Sequence, residues 1–265
     1  MVCIFLKCSN LKIPQIHTEG LFFYRELFTL KYKRIGYFIH YDSVQRVTYM
    51  RLYHGSKSGI RGNIRPDLGR SMCDFGKGFY LGDRPDQPIG LIAGWENHKL
   101  YEMEFQMEGL HIKRFGNTYE EQLDWALFIA YNRNPQWYAD RKKLCEKYES
   151  YHSGYDAVVG LIANDKMFQL LERFYDGTLC DRALIDGLSR VRLGNQYVLK
   201  TERACSAEHL QIISERTLTA AEKKSALAQS EDKFRQMSGF IGELQTKYRR
   251  ARDVRFFDEI MEEWD

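Results

Sequence analysis

Three side chains in this 265-residue chain stand in surroundings suited to binding a polar ligand. His54 ends the short strand-like run LYHGS, directly before a turn that the following glycine permits. Tyr80 lies on a strand entered through Gly76 and Gly78, and Gln196 opens the strand-like run NQYVLKT. An imidazole and a carboxamide form hydrogen bonds, and a phenol ring offers a flat face for stacking.

The common catalytic motifs are absent from the sequence. The run from Gly69 to Lys77 is followed by Gly78, so it lacks the hydroxyl residue that a P-loop needs after its lysine. There is no HExxH motif, and GSKSG carries Lys57 where a nucleophile elbow has serine. The six cysteines form no CxxC pair and lie near no histidine cluster. We therefore expect no metal site, and free thiols in a reducing compartment.

Taken together, the three segments resemble the diphtheria-toxin-like ADP-ribosyltransferases, which include the catalytic domain of poly-ADP-ribose polymerases. In that family a strand ends in a His-Gly-Ser turn, a Gly-Lys-Gly-aromatic-Tyr strand follows, and a catalytic residue opens a late strand. The corresponding runs here begin at His54, Gly76 and Asn195, in the same order. DFGKGFYLG and YDAVVGLIAND also resemble an uncharacterised bacterial family of this superfamily (DUF3990-like), several members of which lie in toxin–antitoxin operons. The resemblance spans roughly residues 50–214.

The resemblance implies a site that takes NAD as substrate and uses no metal. In it His54 hydrogen-bonds a ribose hydroxyl, the Gly55 backbone approaches the nicotinamide carboxamide because no Cβ blocks it, and Tyr80 stacks on the ring. Gln196 orients the ribose. The expected catalytic residues are thus His54, Tyr80 and Gln196. The residues expected to bind NAD are Tyr53, His54, Gly55, Ser56, Arg65, Arg70, Gly78, Tyr80 and Trp95, the last as a second stacking aromatic.

Gln196 stands where the best-known members of the superfamily carry glutamate, and this limits the expected reaction. A carboxamide hydrogen-bonds the ribose but accepts no proton at neutral pH, so polymer extension is not expected. Glu202 and Glu208 are candidates for an assisting carboxylate. Three hypotheses stay open: a mono-ADP-ribosyltransferase acting on a protein or nucleic acid, an NAD glycohydrolase, and a domain that binds NAD or a partner without turnover. The resemblance further implies a toxin of a bacterial toxin–antitoxin or phage-defence system, with an antitoxin protein as partner.

The elements that must position these residues are short strands and amphipathic helices. Apolar alternation predicts strands over 32–43, 51–56, 78–83, 98–108, 155–163, 195–201 and 209–214. Helical spacing predicts helices over 87–98, 118–133, 135–148, 164–177 and 181–189. Asn164 and Gly177 are expected to begin and end one of these helices. The implied fold class is α+β: an ADP-ribosyltransferase fold with split antiparallel or mixed sheets around an NAD cleft, peripheral helices and a C-terminal helical tail.

Composition and charge suggest three parts in a cytoplasmic protein. A mean hydropathy of −0.50 with 44% hydrophobic residues excludes a disordered chain and a membrane span. Residues 1–53 hold eight basic and three acidic side chains. We expect a basic N-terminal segment at 1–49, a catalytic domain at 50–216 and a helical tail at 217–265. The tail begins with a Thr219–Glu222 capping box and has an apolar stripe that either docks on the domain or binds a partner.

Overall fold

The strands that carry the predicted site residues join a single mixed sheet. The structure is a computed structural model that describes residues 49–163, 165–190 and 194–264. Asn164, the strand predicted at 32–43 and almost all of the basic segment at 1–49 lie outside these ranges. Within them the strands are β1 (Tyr49–Ser56), β2 (Phe79–Gly82), β3 (Lys99–Gln106), β4 (Ile112–Arg114), β5 (Ala157–Leu161), β6 (Asn195–Leu199) and β7 (Leu210–Arg216). Their order is β4-β5-β6-β2-β1-β3-β7, parallel between β4 and β5 and antiparallel elsewhere.

Seven α-helices and two short 3₁₀ helices accompany the sheet in the described ranges. The α-helices are α1 (Asp86–Ile92), α2 (Tyr119–Arg133), α3 (Lys142–Ser153), α4 (Asp165–Tyr175), α5 (Asp181–Arg190), α6 (Ala220–Tyr248) and α7 (Phe257–Glu262). The capping box at Thr219 is present at the start of α6, as predicted. The helix predicted over 135–148 is wrong: Pro135–Tyr138 form a 3₁₀ turn, and α3 begins only at Lys142.

The sheet consists of two halves that meet at a single residue pair. β1 pairs with β3 along its whole length, from Tyr49 to Ser56. With β2, in contrast, β1 shares only the pair Tyr53 and Gly82. The strands β1, β3 and β7 therefore form one half, and β4, β5, β6 and β2 form the other. Beyond Tyr53 the two halves separate, and His54 is the first residue past the junction.

Side-chain alternation assigns the predicted residues to the two faces of the sheet. Tyr80 packs with Val198 against the large core cluster that helices α2 to α7 build on one face. Phe79 packs with Leu81 and Tyr197 against a second cluster on the other face. Alternate residues of a strand share a face, so Gly82 lies on the helix-covered face together with Tyr80. Gln196 is the register partner of Gly82 on β6 and therefore lies on this face as well.

The C-terminal tail is packed on the core. Ile241 and Leu244 of α6 are buried in the large cluster, together with Phe257 of α7. At the other end of α6, the backbone N–H of Leu218 donates to Nε2 of the buried His98 at 2.8 Å. The apolar stripe predicted for the tail therefore faces the domain at these positions; the side chains of residues 229–238 lie outside the description.

Candidate functional site

His54 lies at the junction of the two half-sheets and is tied to β2. Its Nδ1 is 2.7 Å from the carbonyl oxygen of Tyr80, and its ring stacks on Phe79 with centroids 4.3 Å apart. A carbonyl only accepts hydrogen bonds, so Nδ1 carries the proton. Burial lowers the pKa of His54, against the opposing effect of the bond to Tyr80. The neutral ring thus keeps an acceptor lone pair on Nε2, which forms no hydrogen bond within the described residues.

Tyr80 is fixed by the turn that leads into its own strand. Its hydroxyl donates to the carbonyl oxygen of Gly76 at 2.6 Å and accepts from the backbone N–H of Phe75 at 3.0 Å. Burial, followed by the nearby Asp74 charge, holds the pKa of Tyr80 well above its usual value, so the phenol stays protonated. Gly76 has a φ of +69°, the left-handed region that favours glycine. The glycine before the strand therefore shapes the turn that holds the ring.

Gln196 is buried, at 2% exposure, and its amide nitrogen is fully used. Nε2 donates to Oδ2 of Asp74 and to the carbonyl oxygen of Leu161, each at 3.1 Å. Its register partners on the two neighbouring strands are Gly82 and Gly160, so neither strand places a side chain beside it. Oε1 forms no hydrogen bond within the described residues. The carbonyl oxygen is therefore the part of this side chain left for a ligand.

Two of the three predicted catalytic side chains, Tyr80 and Gln196, lie on one face of the sheet. The third, His54, contacts the backbone of Tyr80. Tyr80 and Gln196 share the helix-covered face, and the turn after Asp74 contacts both. The ring of His54 stacks on Phe79, whose side chain is on the opposite face, and reaches Tyr80 through the main-chain carbonyl. The three residues thus surround the point at which β1 and β2 diverge.

Two of the expected glycines are explained by packing. A Cβ on Gly55 would lie 2.8 Å from the carbonyl oxygen of Pro88 and 2.9 Å from Cγ2 of Ile92. Helix α1 therefore occupies the space that sequence reasoning left open for an incoming carboxamide, and the glycine is needed for helix packing. A Cβ on Gly78 would lie 2.5 Å from Cγ1 of Val198, so this glycine lets β2 approach β6 closely. The turn predicted directly after His54 is wrong, because β1 continues through Gly55 to Ser56 and stays paired with β3. Tyr53 and Ser56, which flank His54 and Gly55 on this strand, are half-buried.

Arg65, Arg70 and Trp95, which are also expected to bind NAD, lie on the surface. Arg65 pairs with Asp67 in an exposed ion pair of 2.5 Å, and Arg70 is exposed. Trp95 was expected on a helix, but α1 ends at Ile92 and the Trp95 backbone N–H closes the following turn onto the Ile92 carbonyl. Its ring is 49% exposed, with the Lys57 ammonium 4.1 Å from the centroid. No hydrogen bond, ion pair or ring contact joins these side chains to His54, Tyr80 or Gln196 in the described part of the chain.

Sequence reasoning missed the carboxylate that contacts Gln196. Glu202 and Glu208 are both exposed, whereas the buried Asp74 accepts from the Gln196 amide. Oδ1 of Asp74 accepts from Nε of Arg133 at 2.8 Å and also from Nη2 of the same guanidinium. The signal available was the position of Asp74 at the head of the DFGKG run. Its partner at the end of α2 carried no such signal, because it lies 59 residues further along the chain.

A half-buried lysine, Lys200, also holds this turn. Nζ of Lys200 donates to the carbonyl oxygen of Lys77 at 2.7 Å, to that of Phe75, and to Nδ1 of His152 at 3.3 Å. Burial lowers the pKa of Lys200 to about 7. Burial and the neighbouring Lys200 charge lower the pKa of His152 to about 4. The turn that positions Tyr80 is therefore held by the Lys200 ammonium, although burial disfavours the protonated form of both Lys200 and His152.

The lowered pKa values of Lys200 and His152 predict that the protein loses stability as the pH falls. Unfolded histidine titrates near 6.5 and unfolded lysine near 10.4, so in both cases the unfolded chain binds the proton first as the pH falls. The Lys200 contribution is then lost between about 10.5 and 7, and that of His152 between 6.5 and about 4. Over the lower window we expect the free energy of unfolding to fall by about 1 to 2 kcal/mol.

Urea denaturation across pH 7 to 4 measures this loss. His152→Asn should reduce its steepness, because the asparagine oxygen can still accept from Lys200 but does not titrate. The matched control is His111→Gln, at an exposed histidine. A pH profile of His152→Asn that superimposes on the unsubstituted protein would contradict the assignment.

Among the described helices, none combines the length and apolar character needed to span a bilayer. Within the same residues, no three histidine, cysteine, aspartate or glutamate side chains gather into a group that could hold a metal ion. The four cysteines in the described ranges are free thiols.

Comparison with known proteins gives one family and one distant structural likeness. A crystal structure of the M. tuberculosis MbcT-MbcA toxin-antitoxin complex matches with a TM-score of 0.38 and 11% identity, covering 69% of this chain and 91% of that chain. No curated protein matches. The family model described as "Protein of unknown function (DUF3990)" matches residues 50–210, which contain β2 to β6, all of β1 except Tyr49, and all of the predicted site residues. Because this match covers more than half of the chain, the protein belongs to the DUF3990 family.

Proposed function

We propose that this protein transfers a single ADP-ribose from NAD to a macromolecular acceptor and releases nicotinamide. The observation that carries the proposal is the arrangement of His54, Tyr80 and Gln196 on the neighbouring strands β1, β2 and β6. They surround the point where the two halves of the sheet diverge. This is the order and setting that the resemblance to the ADP-ribosyltransferases calls for, and it supports an NAD cleft at the junction.

The proposed chemistry needs positioning more than it needs a strong nucleophile. Cleavage of the nicotinamide–ribose bond builds positive charge on the ribose, as in glycoside cleavage. The bonding pair leaves with nicotinamide, a lone pair of the acceptor forms the new bond to the ribose carbon, and the proton of the acceptor passes to water. Gln196 accepts a hydrogen bond from a ribose hydroxyl through Oε1, and His54 accepts one through Nε2. Tyr80 stacks on the nicotinamide ring and so holds the substrate bent.

The proposed cellular role is that of a toxin in a bacterial toxin–antitoxin or phage-defence system. It follows from the resemblance of the DFGKGFYLG and YDAVVGLIAND runs to a family found in such operons. In this role the protein acts in the cytoplasm and is neutralised by an antitoxin protein. Induced expression tests the role: the unsubstituted chain should arrest growth, and Gln196→Ala should not.

Hydrolysis of NAD is the second candidate function. It is favoured by the hydrogen bonds that both carboxylate oxygens of Asp74 already accept. Both oxygens of this carboxylate are in use, one by Arg133 and the other by Gln196. The carboxylate beside Gln196 is therefore not free to take a proton from an acceptor. Water, which is present at high concentration, then competes with a macromolecule for the activated ribose.

Incubation of the full chain with adenylate-labelled NAD and cell lysate separates these functions. Label on macromolecules supports transfer, and digestion of the product with nuclease or protease identifies the acceptor. Label recovered only as free ADP-ribose supports the glycohydrolase. Gln196→Ala should abolish either outcome, whereas Gln211→Ala, at an exposed glutamine of β7, should not. Binding of NAD without nicotinamide release would overturn both and leave a non-catalytic binding domain.

A further inference from the structure

We propose that Asp74 is the positioning residue of this site: held by Arg133, it fixes the Gln196 amide so that Oε1 faces the ribose. The role toward ribose rests on the proposed function. The hydrogen-bonded pair itself does not, since it is a feature of the folded chain.

The Asp74 carboxylate is held rigidly from one side. It is 8% exposed and receives Nε and Nη2 of Arg133 on Oδ1. The guanidinium of Arg133 lies over the ring of Phe168, 4.2 Å from its centroid. The Asn132 amide donates to the Asp74 backbone carbonyl at 3.2 Å, so the main chain is anchored as well. Oδ2 is left as a fixed acceptor, and it receives Nε2 of Gln196 at 3.1 Å.

This arrangement permits the Gln196 amide only one orientation. Its second N–H donates to the Leu161 carbonyl oxygen, which also accepts from Nε1 of Trp125. Turning the amide over would direct Oε1 at a carboxylate and at a carbonyl oxygen, both of which are acceptors. The two donors therefore stay on the protein side, and the acceptor oxygen is presented at the diverging strands. A ribose hydroxyl that reaches Oε1 then finds the acceptor already oriented.

The pairing also explains why glutamine, and not glutamate, suits this chain. A glutamate at position 196 would place a second carboxylate at the distance of the present hydrogen bond, 3.1 Å from Oδ2 of Asp74. Two carboxylates this close cannot both stay ionised without cost, and the pKa of one is forced up. The negative charge beside Gln196 is therefore that of Asp74. Asp74 and Gln196 form a matched pair, and either one should be replaceable only together with the other.

The exchange of the two side-chain types tests this pairing. We compare the unsubstituted chain with Asp74→Asn, Gln196→Glu and the double variant. In the double variant the asparagine at position 74 donates to the glutamate at position 196 and accepts from Arg133, so the bond is restored with its polarity reversed. The contact between position 196 and the Leu161 carbonyl is not restored, and recovery is therefore partial. Asp140→Asn, at an exposed aspartate, is the control.

Two readouts are measured on all five proteins. In thermal unfolding, Gln196→Glu should be destabilised at pH 8 and regain stability toward pH 5, because a protonated carboxyl can donate to its neighbour. The double variant should show little of this pH dependence. In nicotinamide release, each single change should lower kcat about 30-fold with KM within about 2-fold, and the double variant should recover to within about 5-fold.

The outcomes separate this inference from the proposed function. If Gln196→Glu is as stable as the unsubstituted chain at pH 8, or the two changes are additive in stability, the pairing is absent and the inference is wrong. If the pairing appears in stability while the single variants keep full kcat, Asp74 has no positioning role. If no protein, including the unsubstituted chain, releases nicotinamide while the stability coupling is present, the proposed function fails and the Asp74–Gln196 pair stands.

Discussion

His54→Asn is expected to lower nicotinamide release from NAD by about 100-fold or more while the melting temperature stays within about 3 °C of the unsubstituted protein. The asparagine Nδ2 falls close to the position of the histidine Nδ1 and can donate to the Tyr80 carbonyl oxygen in its place. Nothing then stands at the position of Nε2, the acceptor assigned to the ribose. The structural and the catalytic roles of one side chain are thereby separated.

His54→Gln should show the reverse pattern. Its amide lies near the Nε2 position, so more activity remains, while the loss of the bond to Tyr80 lowers stability by about 1 kcal/mol. Because burial lowers the pKa of His54, the ring needed as an acceptor stays neutral as the pH falls to 6.5, and activity should decline only below that. Full activity in His54→Asn would remove the imidazole from the proposed mechanism.

Gly78→Ala is expected to have the largest effect on stability, lowering the free energy of unfolding by about 3 kcal/mol. The new Cβ would lie 2.5 Å from Cγ1 of Val198 and 2.8 Å from the carbonyl oxygen of Leu199. The second contact is with backbone, which cannot turn away, so β2 must separate from β6. Tyr80 and Gln196 lie on these two strands, and the site should be lost together with the stability.

A matched glycine supplies the control for this change. At Gly90, within α1, an added Cβ would have no atom within 4 Å, so Gly90→Ala should leave stability unchanged or raise it by about 0.5 to 1 kcal/mol. Val198→Ala added to Gly78→Ala removes the side-chain contact but not the backbone one, so only part of the loss should return. Urea denaturation of the three variants measures these effects. If Gly78→Ala leaves the free energy of unfolding unchanged, β2 and β6 can accommodate the added Cβ and the prediction is wrong.

Several features of the fold were predictable from the sequence because they depend on near neighbours. The alternation in LYHGS, GFYLGD and NQYVLKT predicted the strands that carry His54, Tyr80 and Gln196, and each is observed. The box at Thr219 marked the start of α6 because both of its partners lie within one helical turn. The helix over 135–148 failed for the complementary reason: tertiary packing, and Pro135 in a 3₁₀ turn, overrode a weak helical preference.

The composition of the site was decided by tertiary structure. Asp74 and Gln196 are 122 residues apart in the chain, and only the register that sets Gln196 between Gly82 and Gly160 brings them into contact. The expectation for Glu202 rested on proximity in sequence, which places a side chain after a strand but not beside its first residues. The role of Gly55 changed in the same way, because no local pattern shows that α1 packs onto it.

The sequence by itself therefore determined which strands exist and which chemical groups they carry, because strand formation and side-chain alternation are local properties. The tertiary structure decided which groups meet, because pairing between distant strands determines every long-range contact. His54 binds the Tyr80 backbone at the single junction of the half-sheets, and the carboxylate that faces Gln196 comes from the turn before β2. The first contact depends on β1 and β2 diverging after one residue pair, and the second depends on the register of β6 between β2 and β5. No segment of the chain specifies either of these alone.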